Sequence, residues 1–141
     1  MTGRLGLVFA LAAAGCLGSA ASAPAQPSAA PSPMPRLMIM DMPYARVWDG
    51  AVHALAGYAI ARASDGVIET TRLERAPRPE EAGAERVAER VTVRVQAVGE
   101  RIVRVTVTVA AEALRNGAWQ AVDPSPETTR AILDRIRAGL G

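Results

Sequence analysis

The chain has 141 residues, half of them hydrophobic, with 16 basic against 14 acidic side chains. That length fits one domain rather than two, and a formal charge of +2 excludes a protein that holds nucleic acid through a large basic excess. The single Cys excludes a disulfide within the chain, and the basic set is all Arg with no Lys, which reads as coding bias rather than as a phosphate site.

Arg4 followed by the uncharged apolar run 5–17 has the layout of an export signal. As a helix, this run would span only ~20 Å of a ~30 Å hydrocarbon core, so it suits an export segment better than a permanent span. Ala13, Ala14, Gly15 and Cys16 resemble a bacterial lipobox. That resemblance implies cleavage between Gly15 and Cys16 and diacylation of the Cys16 thiol. The expected division is a signal peptide over 1–15, a lipid-attached tether over 16–40 and one domain over 41–141. Gly15 and Ala14 are the small residues such a peptidase needs, whereas Ala13 stands where Leu is usual. Leu17, in place of Asp, implies sorting to the outer membrane. The alternative is an ordinary secretory signal, because 21–23 and 23–25 both have the small-x-small form; Pro24 directly after the first of these cut sites favours the second.

Residues 17–36 are Ala, Ser, Pro, Gly and Gln with few exceptions, and Pro24, Pro27, Pro31, Pro33 and Pro35 fall among them. Such a stretch buries too little apolar surface to offset its ordering entropy, which predicts a disordered tether. Leu37, Met38, Ile39 and Met40 are apolar and read as a short edge strand or a docked segment. Asp41 is the expected cap of a first helix with Pro43 in its early turn. Tyr44, Val47, Trp48, Ala51, Val52 and Leu55 form its apolar stripe, and Gly57 is the stop. Strands are expected over 58–63 and 67–73 around a turn at 64–66, followed by a loop over 75–85.

The next two strands carry the clearest pattern. Val87, Val91, Val93, Val95 and Ala97 occupy odd positions, as do Val103, Val105, Val107, Val109 and Ala111. Arg86, Arg90, Arg94 and Arg104 fall on even positions with Thr92, Thr106 and Thr108. This alternation predicts a sheet with one wet face. Face parity then requires an odd-numbered loop at Gly99, expected as three residues with Gly99 left-handed. The same argument selects a three-residue turn at Arg115-Asn116-Gly117, which sends Trp119 to the core with Trp48. A strand over 118–122 follows. Ser125 caps a last helix, with Pro126 in its first turn and an apolar stripe of Thr129, Ile132, Leu133, Ile136 and Leu140. The expected architecture is an α+β two-layer sandwich, order α-β-β-β-β-β-α. Its antiparallel sheet of four or five strands carries both helices on one face.

The early helix with Trp48 and Leu55, the run Asp65-Gly66-Val67-Ile68-Glu69-Thr70, the Arg90-Val91-Thr92-Val93 strand, Trp119, and Thr129, Ile132, Leu133 and Ile136 together resemble an uncharacterised family of bacterial envelope proteins that often carry lipoprotein signals. More distantly they resemble the helix-grip domains of BamC, a lipoprotein subunit of the outer-membrane β-barrel assembly machinery. The resemblance covers about 44–140 and implies fold and location, with no catalytic residues to carry over.

Chemistry-bearing patterns are sparse. Asp49 and His53 share a helix face at i, i+4, but no third ligand stands at a recognisable spacing, so a solvated face is the expectation. Ser64 and Ser125 sit at a turn and a cap, outside any nucleophile motif, and no phosphate-cradling Gly loop occurs. The expectation is a non-catalytic protein with no cofactor and no metal. It is held at the membrane through an N-terminal lipid and acts on an envelope protein partner rather than on nucleic acid. The competing expectation is a secreted small-ligand or lipid-binding domain. A filled helix–sheet interface favours the first and an apolar groove the second.

Overall fold

The structure is a computed structural model, and it describes residues 33–141. Gly15, Cys16, both alternative cleavage sites and the tether up to residue 32 lie outside the described residues.

Two long strands form the spine, Arg86–Ala97 (β5) and Ile102–Arg115 (β6), antiparallel and in unbroken register from Arg86 opposite Leu114 to Ala97 opposite Val103. Each flank of this hairpin is covered by two shorter strands lying end to end. Along β6 run Arg36–Asp41 (β1) and Ala118–Val122 (β7). Along β5 run Val67–Thr70 (β3) and Leu73–Arg75 (β4), and Ile60–Ser64 (β2) pairs outside β3. The result is an antiparallel sheet of seven strands, two more than the upper expectation. One addition is β1. Residues 36–40, read as the end of the tether with an edge strand as the alternative, pair with Val103–Val107 on β6, so ordered structure begins before the expected boundary at 41. The other is β4, split from β3 by a one-residue advance in register: Glu69 faces Thr92, but Leu73 faces Glu89. At the break the Thr70 hydroxyl accepts the Val91 N–H at 3.0 Å, so the ladder donor is not orphaned.

Helices Tyr44–Ala54 (α1) and Pro126–Ala138 (α2) pack together on one face, as the two-layer reading requires. Between helices and sheet lie Val47, Ala51, Leu55, Ile68, Val91, Val93, Val105, Val107, Ile132 and Ile136, all buried. Each side chain of this size stabilises by about 2 kcal/mol when fully buried. The odd-position valines face this core, and Arg86, Arg90, Arg94 and Arg104 are exposed on the opposite, outer face. Ala97, at the end of its strand, is exposed. The helices approach closely at Gly50, where a Cβ would stand 2.8 Å from Leu140 Cδ2.

Three local expectations are corrected. Asp41 does not cap α1; it ends β1 and pairs with Arg101 at 3.3 Å, while Pro43 holds the cap position. At the β5–β6 loop the odd parity holds, because Val98 donates its N–H to the Ile102 carbonyl at 2.8 Å and leaves three residues at the tip. Gly99, however, does not adopt a positive φ. The third correction concerns Asn116 and Gly117. They have φ of 51° and 75° between the paired Arg115 and Ala118, the signature of a two-residue type I′ turn. Trp119 therefore shares a face with Leu114 on the outer side, not in the core. Gln120 pairs with Ala113 on the helix side yet stays exposed. The polar burial cost that favoured the longer turn is never incurred. Trp48, expected in the core, is half-buried against it and stacks on Tyr44 with ring centroids 6.3 Å apart.

Candidate interaction surface and a buried ion network

The register step between β3 and β4 inverts the face of the β4 residues. Leu73 and Arg75 turn to the helix side and Glu74 to the outer side. Arg75 thereby enters the end of the core where β5 carries Glu89, a carboxylate only 3% exposed. Arg75 Nη2 donates to Glu89 Oε1 at 2.7 Å and to Glu81 Oε1 at 2.6 Å, and Nη1 donates to Glu81 Oε2 at 2.6 Å. Glu81 comes from the short 3-10 turn Pro79–Glu81, where it also accepts the Arg78 N–H at 2.7 Å. From α2, the Thr128 hydroxyl donates to Glu89 at 3.0 Å, and the Ser125 hydroxyl donates to Glu80 at 3.2 Å. Ser125 also caps α2 as expected, accepting the Glu127 N–H at 3.4 Å. The network ties the long 75–85 loop to the first turn of α2 through the middle of the sheet edge.

Charge follows geometry here. The Arg75 guanidinium holds the Glu81 carboxyl below the ordinary glutamate range, against an opposing effect of burial. Burial pushes the Tyr58 hydroxyl up, and the negative charge of Glu89 adds to it. A carboxylate whose folded pKa is depressed contributes stability above its unfolded value of ~4.3 and loses it as pH falls through the lower folded value. Thermal melts from neutral to acidic pH are therefore expected to fall off below about pH 4.3, and Glu81→Gln should flatten that decline. An unchanged pH slope in Glu81→Gln would show that the pair carries no folding linkage.

Sequence reading missed this cluster. One signal was present: Glu89 is the single charged residue on the odd, apolar row of β5.

The outer face is a different surface. At one end, Arg72 lies 3.9 Å over the Trp119 ring and pairs with Glu74 and Glu112, both at 3.1 Å. This covers the indole that parity had assigned to the core. Below it an open hollow of about 290 Å³ is lined by Ala88, Arg90, Ala110, Glu112 and Ala121. Across the centre, Arg90, Arg94 and Arg104 stand exposed with no carboxylate within 4.0 Å among the described residues. At the far end, Leu37 and Ile39 of β1 are 56% and 53% exposed, beside Ile102 at the hairpin tip. Asp49 and His53 are both exposed on α1, and among the described residues they join no group of three potential metal ligands. Ser64 is exposed beside the Asp65-Gly66 turn, which is type I′ by its positive φ values of 53° and 73°.

No protein-family model matches the chain, and a search of the curated proteins returns no match.

Proposed function

We propose that the chain is an envelope lipoprotein, anchored through Cys16 at the outer membrane. Its periplasm-facing domain is a non-catalytic interaction or scaffolding module for an envelope protein partner, with outer-membrane protein assembly as the process it serves. The observation that supports this over ligand binding is the filled helix–sheet interface. Fifteen buried apolar residues form one continuous core there. The hollows among the described residues lie around this core rather than inside it: on the outer face, at the 74–86 loop, at the helix ends, and at the rim where Arg36 of β1 meets the first turns of α2. A domain with its interior occupied has its surface left for recognition. The likeness to helix-grip envelope domains points the same way.

The decisive experiment is at the anchor. Cys16→Ser is expected to accumulate as uncleaved precursor, to lose labelling by a fatty-acid analogue and to leave the membrane-anchored fraction. Normal processing of Cys16→Ser near Ala25 would refute the lipid anchor and leave simple secretion in its place.

A further inference from the structure

We infer that the outer face of the sheet is a docking surface for an anionic bilayer, so that the domain lies on the membrane its tether reaches; the inference rests on the anchored reading above. The register places charge and apolar surface side by side. In one cross-strand row stand Leu37, Thr106 and Arg94; in the next, Ile39, Arg104 and Gln96; in the next, Asp41 and Ile102. Val98, hydrogen-bonded opposite Ile102, is 43% exposed and Ile102 is 47% exposed. Leu37, Ile39, Val98 and Ile102 thus form an aliphatic band along the edge and tip of the sheet, with Arg94 and Arg104 in its rows and Arg90 two outer-face rows further along β5, none of the three with a carboxylate within 4.0 Å among the described residues. Strands lie ~4.8 Å apart and rise ~3.3 Å per residue, so the band with Arg94 and Arg104 fits within one patch three strands wide, and Arg90 extends it by ~13 Å along β5.

An ordinary wet sheet face offers no reason for these two features to coincide. Four large apolar side chains would be left in water, and nearby arginines would go unpaired although 14 acidic residues are available in the chain. Anionic lipid satisfies both at once. Phosphate headgroups take the guanidinium forks in bidentate hydrogen bonds, and the aliphatic band enters the headgroup boundary. The alternative of a second copy stacked face to face would oppose like charges. The band is aliphatic rather than aromatic, so it offers no platform for base stacking. β1 also leads directly from the N-terminal segment, so the surface lies next to the point where the tether joins the domain.

The test uses the full chain carrying Cys16→Ser, which removes the lipid, in flotation with vesicles of phosphatidylcholine alone or mixed with phosphatidylglycerol. The apolar run 5–17 contributes to both, so the readout is the preference for phosphatidylglycerol. Replacing Arg90, Arg94 and Arg104 together by Ala should reduce the affinity for mixed vesicles about 100-fold at low salt. The triple Lys variant should retain most of it, and Leu37→Ser with Ile39→Ser should weaken it with the arginines intact. Circular dichroism checks that each variant keeps its fold. Equal binding to both vesicle types, no change in the triple Ala variant, or a concentration-dependent dimer in light scattering that the Ile39→Ser change abolishes would each overturn the bilayer assignment. Equal binding to both vesicle types in this chain, together with normal acylation of the unsubstituted chain at Cys16, would leave the anchor standing and remove only the docking face.

Discussion

Arg75→Ala is expected to lower the free energy of unfolding by about 3–5 kcal/mol, a large share of the stability of a domain this size. The reason is the partner left behind. Glu89 is 3% exposed and would keep only the Thr128 hydroxyl as a hydrogen-bond donor, so its charge would sit uncompensated at the end of the core. The pair itself is not a stability optimum. Arg75 Nε is buried with no hydrogen-bond partner among the described residues, and desolvating both charges offsets much of their attraction. Replacing Arg75 by Met and Glu89 by Leu together removes both members of that pair and leaves Glu81 with the Arg78 N–H, so it should cost less than the two single changes summed. A double-mutant cycle by urea denaturation measures the difference. A double change that costs the sum of its two single changes would show that the network adds no coupling.

Ile136→Ala is expected to cost about 2–5 kcal/mol. Ile136 is fully buried on α2 against the valines of the central hairpin, with α1 packed alongside. The neighbouring helix surface at Gly50 already admits Leu140 closer than a Cβ would allow, which leaves little slack for the site to collapse around a lost side chain. Arg94→Ala, on the exposed outer face, should change the free energy of unfolding by less than ~0.5 kcal/mol. Chemical denaturation of the two variants side by side checks the orientation of the whole sheet. A severe loss in Arg94→Ala with a mild one in Ile136→Ala would reverse it.

Within a strand, the sequence by itself determined which side chains face the core. Side-chain direction alternates with a period of two and needs no information beyond the local residues. The buried valines of β5 and β6, the exposed arginines and the Ser125 cap were all legible for this reason. The two amphipathic helices and their shared sheet face followed from the same local periodicity.

Tertiary structure decided wherever phase passes from one segment to another. Asn116 and Gly117 could make a two-residue or a three-residue turn, and the choice depended on whether Gln120 would be covered. Only the tertiary packing settles that, and it leaves Gln120 exposed. Trp119 then found its cover in Arg72, which is 47 positions away in the chain. The break after Thr70 advanced β4 by one residue along β5. That single step carried Arg75 to the core side and brought it to Glu89. The odd placement of Glu89 was visible in its strand. Its partner was not, because a register shift between two strands is fixed by pairing with a third and leaves no periodic mark in the residues that make it.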